Sequence, residues 1–89
     1  MLKIAICDDE KKSVLLIESL TKQIFQEEKI PAQITTYGNG DFLLYDIQEK
    51  KCYDIILLDI EMPGNSGMNI AAQIKKDLPE ALIIFITSH

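Results

Sequence analysis

Four short strand-like runs alternate with three stretches of helical period, and that alternation limits what this chain can become. Leu2 to Cys7, Tyr53 to Asp59 and Ala81 to Thr87 are almost wholly apolar, while Ala32 to Tyr37 is half polar. Strands alternating with helices point to a parallel sheet covered on both faces. Near-continuous apolar runs suit strands buried on both sides, and the half-polar run suits an edge. The expected order is βαβαβαβ, an α/β fold in one domain spanning residues 1–89.

The spacing predicts a first helix from about Lys11 to Glu28. Ile17, Leu20 and Ile24, with Leu16 beside them, form its expected buried stripe. Asp9 or Glu10 is placed to open it, because negative charge is favoured at a helix N-terminus. After the Gly38-Asn39-Gly40 turn, Asn39 or Asp41 caps a second helix running to about Lys50, with Phe42, Leu43 and Ile47 inward. Glu61-Met62-Pro63-Gly64 reads as a loop. The third helix ends near Asp77, with Gly67, Ala71, Ile74 and Leu78 as its inner stripe. Small residues there allow close approach to a sheet.

The net charge of −5 disfavours non-specific binding to DNA or anionic membranes. No run reaches the roughly 18 apolar residues of a membrane span, and the N-terminus is no signal peptide. Two cysteines without CxxC spacing form no disulfide framework, and a reducing cytoplasm is the economical compartment. Cys7 reads as a small core residue.

Asp8 and Asp9 end the first strand, Asp59 the third and Thr87 the fourth. Ligands of parallel α/β sheets bind at strand carboxyl ends, where strand order reverses. Three acids on one rim repel one another unless a cation or proton intervenes. Mg²⁺, a hard cation that takes oxygen ligands, is the expected partner, and the absence of His and Cys from the cluster argues against zinc. Such an ion can hold a phosphoryl oxygen near a carboxylate that attacks phosphorus. A hydroxyl such as Thr87 can donate to the resulting phosphoryl group.

These residues fall into a known pattern. Asp8-Asp9-Glu10, Leu57-Leu58-Asp59, Met62-Pro63-Gly64 with Gly67, and Phe85-Ile86-Thr87-Ser88 together resemble the receiver domain of two-component response regulators, across the whole chain. The resemblance implies a flavodoxin-like three-layer fold with strand order 2-1-3-4, the family's fifth strand and last helices missing. It implies that Asp59 is the phosphoacceptor and that Asp9 and Asp59 ligate Mg²⁺ directly. The backbone carbonyl of Glu61 joins them, Asp8 assists through water, and Thr87 is the switch hydroxyl. It further implies a phosphoryl donor that is a histidine kinase. The protein is then a signalling receiver supporting its own aspartyl phosphorylation and dephosphorylation, not an enzyme. IFITSH and DIEMPG are similar to receivers of LytTR-type regulators, which implies transcription regulation through a DNA-binding output domain not present in this chain.

The chain departs from the family at its end. Nothing follows His89 where the family has a fifth strand ending in a phosphoryl-pairing lysine, so the expectation is a receiver incomplete at its C-terminal end. Phosphoryl stabilisation should then be weaker. The Leu82 to Ile86 strand is expected to be an apolar edge that supports a homodimer or strand-swapped oligomer.

Other readings compete. Asp8 or Asp9 alone can be a helix cap, Thr87 a simple β-former, and Tyr37, Tyr45 and Tyr53 amphipathic residues at the core edge. A haloacid-dehalogenase-like phosphatase needs a second aspartate two residues after its nucleophile, where this chain has Glu61. A receiver fold working purely as an interaction module would not need Asp8, Asp9, Asp59 and Thr87 together.

Overall fold

The computed structural model describes residues 1–86. Within them the elements are β1 (Leu2–Cys7), α1 (Lys11–Glu27), β2 (Ala32–Tyr37), α2 (Gly40–Gln48), β3 (Ile55–Asp59), α3 (Gly67–Asp77) and β4 (Leu82–Ile86). The four strands form one parallel sheet in the order β2-β1-β3-β4. The half-polar run is an edge, as expected. The chain steps from β1 to β2 on one side, then crosses to β3 on the other, so strand order reverses between β1 and β3.

Alternation of side chains splits the core in two. Ala5, Cys7, Ile56 and Leu58 face α2 and α3, where Leu43, Leu44, Ile47, Ile70 and Ile74 close over them. Ile4 and Ile6 point to the opposite face, under α1, and are fully buried. Each such side chain contributes about 1.5–3 kcal/mol by leaving water. Asn39 caps α2 by accepting from the Phe42 N–H at 2.9 Å. Ser66 caps α3 by accepting from the Asn69 N–H at 3.3 Å.

The inner face of α1 differs from the expected one. Leu16, Leu20 and Ile24 are 61%, 49% and 56% exposed. Val14, Ile17, Thr21 and Phe25 turn inward instead, Ile17 alone matching the expectation. Thr21 is buried without penalty because its hydroxyl donates to the Ile17 carbonyl at 2.7 Å. Two stripes of equal period share this helix, and periodicity does not say which one meets the sheet. α1 lies over β1 and β2, so it buries only a narrow strip. On α2, Phe42 is 64% exposed and Leu44 is buried beside Leu43 and Ile47. On α3, Ile70 joins the core and Leu78 packs against its margin.

A polar knot ties β2, α2 and the segment before β3 together. The Tyr37 hydroxyl donates to Asp46 at 2.5 Å, which leaves its oxygen to accept from the Tyr53 hydroxyl, also at 2.5 Å. The two rings meet edge to face, 6.2 Å apart. Burial, Asp46 and Tyr53 all raise the Tyr37 hydroxyl above its ordinary pKa, so it remains a donor. Tyr45, by contrast, is exposed.

Among the described residues β4 pairs with β3 alone, and Leu82, Ile84 and Phe85 on it are exposed. No helix among them is long and apolar enough to cross a membrane.

Candidate functional site

The acids meet because of register. Cys7 pairs with Leu58 across the β1–β3 ladder, so the next residue on each strand, Asp8 and Asp59, emerges at the same height. Hydrogen bonds hold both backbones at the strand ends. The Asp8 N–H donates to the Tyr37 carbonyl, and the Ile60 N–H to the Ile86 carbonyl, each at 3.1 Å. One ligand oxygen from each of Asp8, Asp9 and Asp59 lies within 4.8 Å of the others. Asp8 and Asp59 are buried, whereas Asp9 is exposed at the mouth.

The two buried acids share a local design. Asp8 Oδ1 accepts from the Glu10 N–H at 2.9 Å, and Asp59 Oδ1 accepts from the Glu61 N–H at 3.2 Å. Each carboxylate thus organises the turn two residues beyond it. Glu10 occupies the N-cap position of α1 without a side-chain cap bond, so Asp8 orders that helix start instead. Glu61 is exposed in the loop after β3. Thr87 lies outside the described residues.

Burial is the largest influence on Asp8, and it raises the carboxyl above its ordinary pKa. The charges of Asp59 and Asp9 push the same way, and the Glu10 N–H opposes them. The Cys7 thiol beneath is pushed up to about 12, by burial first and then by Asp8, Asp59 and Asp9. It is therefore a neutral thiol at pH 7, directed at the Met62 sulfur 3.9 Å away, and does not compete for a cation. What remains is an all-oxygen donor set, which fits a hard divalent ion such as Mg²⁺.

A cleft of about 340 Å³ opens beside the acids between α1 and the end of β2, lined by Asp8, Asp9, Val14, Leu15, Thr36 and Tyr37. Two contributions were not anticipated from the sequence. Met62 is buried and anchors the β3–α3 loop on Cys7, and Tyr37 holds Asp8 through its carbonyl. A methionine in an otherwise polar loop was the available signal for the first.

This arrangement defines a doubly wound parallel α/β module with an acidic rim at its switch point. Comparison with known proteins agrees. The response regulator receiver domain family matches residues 4–89, and the chain belongs to that family. It is 37% identical to the sensory transduction protein LytR of Staphylococcus saprophyticus over 84 residues, covering 94% of this chain and 31% of that protein. It is 30% identical to accessory gene regulator protein A of Staphylococcus epidermidis, covering 99% of this chain and 38% of that one. The chain thus spans about a third of the length of these curated relatives. Among solved structures it resembles the Thermotoga maritima response regulator TrrA in complex with Mg²⁺–BeF (TM-score 0.75, 38% identity, 100% of this chain and 71% of that one). It also matches TrrA in the complex with histidine kinase ThkA (TM-score 0.74, 39% identity, 99% and 70% covered).

Proposed function

We propose that Asp59 is the phosphoacceptor of a two-component receiver and takes its phosphoryl group from a histidine kinase. One observation carries this reading: the carboxylate oxygens of Asp8, Asp9 and Asp59 converge within 4.8 Å at the sheet's switch point. The roles run residue by residue. Asp9 and Asp59 would hold Mg²⁺ directly, with the Glu61 carbonyl as a further ligand and Asp8 assisting through water. Bound there, Mg²⁺ offsets the crowded negative charge and supplies Lewis-acid polarisation of a phosphoryl oxygen.

The chain's own residues do the rest. An Asp59 carboxylate oxygen attacks phosphorus as the bond from phosphorus to the donor's imidazole nitrogen breaks, and the electron pair leaves with that nitrogen. The Glu61 N–H, already donating to Asp59, holds the carboxylate in one orientation. Thr87 is the hydroxyl that donates to the new phosphoryl group. The molecule is a switch that supports its own phosphorylation and dephosphorylation, with residues 1–89 read as one receiver unit.

Similarity to TrrA, solved both with Mg²⁺–BeF and with a histidine kinase, supports the ion and the donor. Similarity to LytR and accessory gene regulator protein A supports a LytTR-type output, in which a DNA-binding domain outside this chain regulates transcription. The two free thiols fit a cytoplasmic setting. The apolar side chains exposed on β4, which pairs with β3 alone among the described residues, support pairing between copies as a homodimer or strand-swapped oligomer.

The test is incubation with a small acyl phosphate and Mg²⁺, followed by intact mass. Wild type should gain one phosphoryl group and Asp59→Asn none. A full-length protein that gains no mass ends this reading.

A further inference from the structure

The first residue of α3, Gly67, lies against the backbone of the proposed phosphoacceptor. A Cβ at this position would overlap the Asp59 carbonyl oxygen. It would also stand 2.8 Å from Ile60 Cα and 3.0 Å from the Asp59 carbonyl carbon. These are backbone atoms with no rotamer to move aside. The Gly67 N–H donates to the Ile60 carbonyl at 2.9 Å, fastening the contact. Conformation does not explain the glycine, because only Gly64 among the glycines has positive φ. Space does.

We propose that Gly67 is a positioning residue: by letting α3 seat on the Asp59–Ile60 peptide, it sets where the Asp59 carboxylate and the Glu61 turn sit relative to Asp9. This rests on the reading of Asp9 and Asp59 as Mg²⁺ ligands. Two anchors converge on the short segment from Asp59 to Met62. Gly67 packs from the helix side, and Met62 is pinned on Cys7 from the core side. A methyl at 67 forces either the helix or this segment to shift. The helix start is capped by Ser66, and its inner face is locked by the buried Ile70, Ala71 and Ile74. The clash falls on the Asp59–Ile60 peptide itself, so the strain is delivered to the segment that carries Asp59 and the Glu61 turn. Helix propensity runs the other way, since alanine is the better helix former by up to about 1 kcal/mol. A loss of function in the alanine variant therefore cannot come from lower intrinsic helix propensity.

Gly40 provides the control. A Cβ there meets the Ile70 side chain at 2.5 Å, a clash between α2 and α3 on the flank of the core that touches none of the acids. Gly40→Ala should lower Tm with Mg²⁺ affinity unchanged. Gly67→Ala should weaken Mg²⁺ binding about 10- to 100-fold, the range seen when support of metal ligands is lost. Heteronuclear NMR reads both effects: a Mg²⁺ titration for affinity, and ion-free backbone shifts of residues 59–61 for displacement. A folded Gly67→Ala protein with wild-type Mg²⁺ affinity and unmoved shifts at 59–61 overturns the proposal. Should the wild type show no Mg²⁺ response, the metal reading falls, while the ion-free shifts of the variant still decide the positioning role. If Gly67→Ala does not fold, the wild type decides: Mg²⁺ must move the Gly67 amide resonance more than that of Gly40. A still Gly67 amide overturns the inference.

Discussion

Cys7 and Leu58 are register partners in adjacent parallel strands, and this pairing makes neighbours of Asp8 and Asp59. Side chains on a strand alternate faces, so a slip of one residue in that ladder would turn every inward side chain of β3 outward. Ile56 and Leu58, both fully buried, hold the register by the apolar surface such a slip would expose. The hydrophobic core thereby positions a polar site.

The proposed Mg²⁺ role makes the crowded charge testable. Chelation with EDTA should abolish the phosphoryl mass gain, and Asp9→Asn should weaken Mg²⁺ binding by at least the tenfold lower end of ligand-support losses, roughly 1.4 kcal/mol. Isothermal titration with Mg²⁺ checks the second effect. Unaltered affinity in Asp9→Asn would remove Asp9 from the ligand set.

Asp8 makes stability depend on pH. Its carboxyl is raised in the folded state, by burial first and then by Asp59 and Asp9. Between its unfolded value, near 3.8, and the raised folded value, the native state binds more protons than the unfolded one. Stability supplied by the protonated form is therefore complete below the unfolded value and is lost as pH rises through the folded one. In metal-free buffer, Asp8→Asn should raise Tm at pH 7, at about 4–8 °C per kcal/mol gained, with the gain fading under acid conditions. Thermal melts from pH 3 to 8 give the curve. A gain that persists unchanged at low pH would contradict the account.

The tyrosine knot should be separable from the site's chemistry. Tyr37→Phe strands the buried Tyr53 hydroxyl and removes the donor to Asp46, a loss of about 1–3 kcal/mol. Urea unfolding measures it. Because the Asp8 N–H bonds to the Tyr37 backbone carbonyl, which the variant retains, phosphorylation should stay at the wild-type level.

Self-association along β4 is the fourth expectation. Ile84→Lys places a charge on an exposed apolar position of that strand, a common way of blocking edge pairing. Light scattering at high concentration should show oligomer in the wild type and less in the variant. A monodisperse wild-type monomer would rule this edge out as a pairing surface.

Much of the fold was legible in the chain. The four strands, three helices and acidic strand ends all follow from local pattern, because a buried parallel strand reads as an apolar run and its end as a change to polar residues. The Asn39 cap was one of two open choices, and the structure selects it over Asp41. Other features were illegible for definite reasons. The inward face of α1 depends on where the helix lies across the sheet, and Leu16, Leu20 and Ile24 carry the same period as the stripe that is buried. The bond between Tyr37 and Tyr53 joins residues whose local sequences say nothing of each other.

By itself the sequence determined which residues are chemically able to act: three carboxylates at the ends of two apolar runs, with a methionine in the loop after the second and a glycine opening the helix beyond. Only the tertiary structure decided that the carboxylates meet. Convergence within 4.8 Å depends on the side-by-side register of β1 and β3, and the room beside Asp59 depends on α3 seating where a side chain would not fit. Local pattern encodes burial and period, whereas distance between remote residues is set by how the layers pack.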